Sequence, residues 1–113
     1  MKLWIDDVRP APHGFTEIHS VNEAKVIIEA LDFAFAMSNE FGFYDEAKKF
    51  KIEVIDIDHD AGDFAYDGGD YIKLLDWLEM TEKNYPIHIH SMNYVGVANM
   101  RAIIERNGWE EVR

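Results

Sequence analysis

Three apolar runs of the chain end in side chains that can hold a metal ion or move a proton. Lys2-Leu3-Trp4-Ile5 stops at Asp6-Asp7. Ile52-Glu53-Val54-Ile55-Asp56-Ile57 stops at Asp58-His59-Asp60, and Ile87-His88-Ile89-His90 stops at Ser91. Carboxylates brought together without partners repel one another and raise each other's pKa. A divalent cation relieves that repulsion, and Mg²⁺ (or Mn²⁺) binds through a few carboxylates plus water and phosphate oxygens. Asp6, Asp7 and Asp58 are therefore the candidate metal ligands. A single Asp at a strand end is more simply a helix cap or a solvated turn residue. Asp-Asp and Asp-His-Asp at two strand ends favour a metal over that simpler account.

The imidazoles of His59 and His90 stand at the same edge and suit general acid–base work near neutral pH. A lone His is usually structural; two beside a carboxylate cluster point toward chemistry. His88 lies two residues before His90, and Asp56 two before Asp58. Polar side chains inside a buried strand need partners, so Asp56 and His88 are expected to bond each other one layer beneath the site. Ser91, Asn93 and Gly96 open the last helix. Its free N–H groups can bind an anion, and glycine permits close approach, although Asn93 could simply be a cap. Asn99 lies further along that helix. Arg9 is the cation nearest Asp6-Asp7, placed to bridge those acids or to bind a phosphate.

These groups meet only if the runs are neighbouring strands with their carboxyl ends on one edge. Ile52, Val54, Ile55 and Ile57 read as a strand over 52–58 buried on both faces, as in a parallel sheet. Open sheets of that kind bind ligands beyond the carboxyl ends of their strands. Residues 2–5 form the first strand, and Phe15 to Ile18 suggest a short second one. Two prolines and a glycine between them forbid a regular helix. Ser20 and Glu23 make a capping box before a helix with Ala24, Ile27, Ile28 and Leu31 at helical spacing. The aromatics of 33–44 read mainly as core, and their number also permits a homodimer surface. An interrupted or second short helix follows over 43–50.

Residues 60–69 hold three glycines and no periodicity, a loop placed to act as a lid. Asp70 can cap a helix from Tyr71 to Met80, with Ile72, Leu75 and Leu78 toward the sheet and Leu74 and Trp77 flanking. Pro86 opens the strand 87–91. Asn93 can cap a helix over 95–106 that ends at Asn107-Gly108, and Trp109 to Val112 can add an edge strand. Alternating strands and helices imply an α/β fold in three α/β/α layers, with a parallel sheet of four to five strands.

At 113 residues the chain fits one domain, 1–113, without a linker or repeat. It has no cysteine, hence no disulfide or thiolate metal site. A net charge of −11 argues against nucleic-acid polymers; a small phosphate ester remains open if a cation offsets the acids. Neither a signal peptide nor a membrane span is visible, so cytoplasmic residence is the default expectation.

The acid pair after the first strand, the Asp after the central strand and the Ser after the next resemble the receiver domain of response regulators. A receiver also has a Lys after its fifth strand, and here no Lys follows Lys83. A closer resemblance is to the receiver-like family that processes cyclic phosphates. It rests on Ile5-Asp6-Asp7-Val8-Arg9-Pro10-Ala11-Pro12, on Ile57-Asp58-His59-Asp60, and on Ile89-His90-Ser91-Met92-Asn93-Tyr94-Val95-Gly96 with Asn99-Met100. Tyr94 stands where that family usually has Pro, and residues 36–50 look like an insertion.

The resemblance implies a receiver-like (flavodoxin-like) fold and metal-dependent hydrolysis of a small cyclic phosphate or related phosphoester. His59 and His90 are then the acid–base pair, with Asp60 orienting His59. Arg9, Ser91, Asn93, Gly96 and Asn99 are the candidate substrate contacts, and a small phosphate-containing molecule is the partner. The alternatives are a signalling receiver phosphorylated on Asp58 and a module that binds a phosphorylated ligand without catalysis.

Overall fold

β-Branched and aromatic residues set four short strands, β1 (Lys2–Ile5), β2 (Phe15–Ile18), β3 (Val54–Ile57) and β4 (Ile87–Ile89). A computed structural model, which describes residues 1–113, pairs them all in parallel in the order β2-β1-β3-β4. Four helices accompany them, α1 (Val21–Glu40), α2 (Tyr44–Ala47), α3 (Ile72–Met80) and α4 (Tyr94–Asn107). The result is a receiver-like α/β fold with a four-stranded parallel sheet. No helix is long and apolar enough to cross a membrane.

Register decides where the core lies. Leu3, Ile55 and Ile87 are aligned across three strands, and so are Ile5, Ile57 and Ile89. Side chains alternate faces along a strand, so these six share one face. A hydrophobic cluster joins that face to Val21, Ala24 and Ile28 of α1, to Leu74, Leu75, Trp77 and Leu78 of α3, and to Met100, Ile103 and Ile104 of α4. Trp4, Asp56 and His88 are aligned on the opposite face. Strand β3 is thus not buried on both faces as expected: Ile55 and Ile57 are fully buried, while Val54 and Asp56 are half-covered.

Several boundaries differ from expectation for local reasons. α3 has no side-chain cap, because Asp70 Oδ1 instead accepts the N–H of Ala61 at 3.0 Å and closes the loop between them. Ile72 is half-buried, and Leu74 and Trp77 join Leu75 and Leu78 in the core. Trp109 to Val112 contributes an isolated bridge between Ile87 and Glu111 rather than a strand. The segment after α1 holds the single short helix α2.

The loop of residues 60–69 is tied down rather than free. It makes a 3₁₀ turn over Gly62–Phe64. Asp67 then binds the start of α1: its carboxylate accepts Ser20 Oγ at 2.6 Å and Asn22 Nδ2 at 3.1 Å, and its carbonyl accepts Asn22 N–H at 3.2 Å. Ser20 Oγ in turn accepts Glu23 N–H at 3.1 Å, which is the expected cap. One buried hydroxyl therefore both caps α1 and holds the loop. Ser20→Ala removes both bonds and should destabilise the fold by about 1–2 kcal/mol, the upper part of the range for losing a cap. Urea unfolding measures this, and a loss no larger than that of a surface substitution would show that the hydroxyl carries neither function.

Candidate functional site

Beyond the last aligned apolar row, each strand is followed by one polar residue at the same level: Asp6 after Ile5, Asp58 after Ile57, His90 after Ile89. The ladder continues through them. Asp6 N–H donates to Ile18 O, Asp58 N–H to Ile5 O, and His90 N–H to Ile57 O. Alternation puts all three side chains on the face of Trp4, Asp56 and His88. One potential ligand atom from each of Asp6, Asp58 and His90 lies within 4.8 Å of the others.

Asp6 is fully buried and fully engaged. Its Oδ1 accepts the N–H groups of Val8 and Arg9 at 2.9 and 2.8 Å, which turns the chain sharply after β1. Its Oδ2 lies 2.8 Å from His90 Nε2. Burial raises its pKa, but those two amides and the imidazole more than offset that, so its carboxyl sits below the usual range.

His90 bonds a second carboxylate. Its Nδ1 lies 2.5 Å from Asp56 Oδ1, and its ring stacks on the Trp4 indole with centroids 3.9 Å apart and planes 2° from parallel. Burial opposes the charged form, but the two carboxylates outweigh it and the His90 pKa is raised. The expected Asp56–His88 bond is not made, although the two residues are aligned on adjacent strands. His88 sits on β4, beside the C-terminal segment, and its Nδ1 bonds Val112 O at 2.7 Å. Asp56 pairs diagonally with His90 instead, within the reach of a long side chain across parallel strands.

Asp7 is near the cluster but not among its converging atoms. Its side chain abuts the backbone of the loop: a Cβ on Gly62 would lie 2.2 Å from Asp7 Oδ2, so that position needs glycine. Burial, and after it the charges of Asp6 and Asp58, raise its pKa.

His59 occupies a separate wall. Its Nδ1 lies 2.9 Å from Asp60 Oδ1, while Nε2 makes no hydrogen bond within the protein. The ring presses on the first turn of α4, where a Cβ on Gly96 would come within 2.4 Å of it. Asn93 caps that helix, its Oδ1 accepting Gly96 N–H at 2.9 Å, and its Nδ2 reaches Asp60 at 3.3 Å. The bond from His59 holds the Asp60 carboxyl below its usual range. Ser91 Oγ accepts Asn93 N–H at 3.1 Å.

The structure thus brings Asp6, Asp58 and His90 into one cluster and His59, Asp60, Asn93 and Gly96 into another beside it. Asp7 and Ser91 border them. Asn99 is exposed further along α4. The guanidinium of Arg9 donates to His90 O at 3.3 Å and makes no ion pair with Asp6 or Asp7. Sequence reasoning missed Trp4 and Gly62, and placed Asp56 beneath the site with His88 rather than His90 as its partner. For Trp4 a signal existed: it lies two residues before Asp6 on its own strand, hence on the same face.

Because the folded pKa of His90 is raised, its contribution to stability is fully present below the ordinary value of 6.5 and is lost as pH climbs through the folded value. Asp6, with a lowered pKa, contributes above the ordinary 3.8 and loses its contribution as pH falls through the folded value. Metal-free protein should therefore lose stability as pH rises above 6.5, and Asp56→Asn should lower the His90 pKa by ring NMR. His90→Ala leaves Asp6 and Asp56 without their shared cation and should cost about 3–5 kcal/mol. A denaturation midpoint within error of the parent's would refute the clamp.

A family model described as the cyclic-phosphate processing receiver domain matches residues 1–106. Comparison with curated proteins and with solved structures found no match. The matched span contains all four strands, both clusters of site residues and nearly all of α4. By that match the chain belongs to the family of cyclic-phosphate processing receiver domains.

Proposed function

We propose that this domain hydrolyses a small cyclic phosphate or related phosphoester with the help of a divalent cation, Mg²⁺ or Mn²⁺, at the carboxyl edge of the sheet. The observation that carries the reading is the convergence of Asp6, Asp58 and His90 beside a His59–Asp60 pair at the N-terminus of a helix. The donor set fits such a cation. Carboxylate oxygens of Asp6 and Asp58 suit Mg²⁺ or Mn²⁺, and a cation would relieve the charges of Asp6 and Asp58 that, after burial, raise the Asp7 pKa. Asp6 and Asp58 would hold it, with Asp7 at hand. A bound cation would offset charge on the nonbridging phosphate oxygens and so favour attack at phosphorus.

His59 is the general base. Asp60 accepts the proton-bearing Nδ1, which leaves the lone pair on Nε2 for a proton of the attacking water. The N–H groups of Tyr94 and Val95 make no hydrogen bond within the protein and can receive a phosphate oxygen. Sequence reasoning made His90 an acid–base partner of His59, and the two rings differ in their partners. Both nitrogens of His90 face carboxylates, which raise its pKa, so its charged form would hold Asp6 in place. The departing alkoxide then takes its proton from water. Arg9, Ser91 and Asn99 remain candidate substrate contacts.

The reading makes two checks available. Mg²⁺ should raise the melting temperature by mass action, and Asp58→Asn should abolish the rise. Phosphorus NMR on a panel of cyclic nucleotides and cyclic ADP-ribose phosphates should then show ring opening. His59→Ala should slow it by about 10²–10⁴-fold while melting like the parent. Full turnover in His59→Ala would remove its role as base. A stable acyl phosphate on Asp58 after treatment with acetyl phosphate would instead make the domain a phosphoaccepting receiver.

A further inference from the structure

α1 is far longer than the sheet requires. Its buried residues, Val21, Ala24 and Ile28, all fall in its first half. Twenty residues of helix extend about 30 Å, whereas each strand has at most four residues. The distal half carries Phe33, Met37 and Phe41 four residues apart, which makes one stripe, and Phe43 and Tyr44 follow at the start of α2. Phe33, Phe41, Phe43 and Tyr44 are 68%, 70%, 60% and 65% exposed. At about 200 Å² per aromatic side chain these four present roughly 500 Å² of aromatic surface. That is most of the roughly 800 Å² each partner contributes to a stable interface, before Met37 and any polar rim are added.

Charge identifies the occupant. The chain has 22 acids and 11 bases, yet within residues 33–51 the acids are Glu40, Asp45 and Glu46 and the bases are Lys48, Lys49 and Lys51. This segment is neutral in a strongly acidic molecule, so two copies can approach here without the repulsion they meet elsewhere. Its acids precede its bases along the sequence, and Asp45 pairs with Lys48 within the chain at 3.5 Å. Turned end for end by a two-fold axis, the segment can set Glu40 and Glu46, which have no ion pair in the chain, against Lys49 and Lys51 of a second copy, a self-complementary pairing that suits an isologous contact. A cavity of about 250 Å³ lined in part by Phe35, Phe50 and Tyr85 opens beside it, adding relief that an aromatic side chain can enter.

We propose that residues 33–51 form a two-fold interface between copies of this chain, with the aromatic stripe at its centre and the charged residues at its rim. The segment follows the distal half of α1, beside Ile52 and Pro86 that precede β3 and β4, whereas the clusters around Asp6 and His59 lie at the opposite, carboxyl ends of the strands, so the interface is independent of the proposed chemistry. Sedimentation velocity on the full chain, from micromolar to near-millimolar concentration, should show twice the 13.1 kDa of one copy. Phe41→Glu/Phe43→Glu should weaken association by at least about a hundredfold with unchanged circular dichroism, since both side chains are exposed.

A charge-swap pair guards against loss of folding. Asp45→Lys/Glu46→Lys and Lys48→Glu/Lys49→Glu should each be monomeric alone and should form a heterodimer when mixed. A parent chain that stays at 13.1 kDa throughout overturns the proposal and leaves the face to a different partner. A dimer that survives the aromatic substitutions, or swapped variants that fail to pair, overturns it equally.

Discussion

One imidazole ring sets the geometry of the carboxyl edge. His90 is held by Asp6 from β1 and Asp56 from β3 while its own backbone continues β4, so three strands are cross-linked by side chains where their ladder ends. Two carboxylates this close need a cation between them, and burial makes an unpaired charge there expensive. Trp4 seals the arrangement by lying flat on the ring and donating its indole N–H to Arg9 O at 2.9 Å. The same contact fixes the turn after β1, which sets where Asp6 and Asp7 point. Loss of the clamp would therefore disturb the candidate ligands even where none of them was changed.

The two histidines of this edge differ in what surrounds them. Both stand at strand ends, His59 between Asp58 and Asp60 and His90 between Ile89 and Ser91. In space one has two carboxylates and the other has one. Both nitrogens of His90 have carboxylate partners, which raise its pKa, and His59 keeps a nitrogen without a partner. Counting residue types cannot reveal this, because it depends on which neighbours fold back onto the ring.

The fold was legible where a local cause dominates. Ser20 and Asn93 cap the helices they precede, Gly108 adopts the left-handed conformation that ends α4, and the three apolar runs and the short segment Phe15–Ile18 form strands. Asp6, Asp58, His59 and His90 were placed at one edge by the same reasoning. What could not be read was the choice among partners. Asp70 had a helix to cap and a loop amide to accept, and the amide won. Asp56 had His88 aligned with it, but the C-terminal segment claims His88, and the diagonal partner took its place. The length of α1 was also hidden, since apolar residues continue past the sheet at helical spacing without becoming core.

The connection between β1 and β2 has a bearing on how the molecule assembles. These parallel neighbours are joined by residues 6–14 alone, with no helix between them, whereas β1 must wait for the whole of α1 and α2 before it meets β3. Loop closure grows with the logarithm of length, so the first pairing is favoured over the second by about 1.5 kcal/mol of chain entropy. Short-range contacts form fastest. The turn that wraps the Asp6 carboxylate in backbone amides belongs to that early unit. An ordered acid would then be waiting when β3 and β4 arrive, and the capture of His90 would be among the last events to lock the native register.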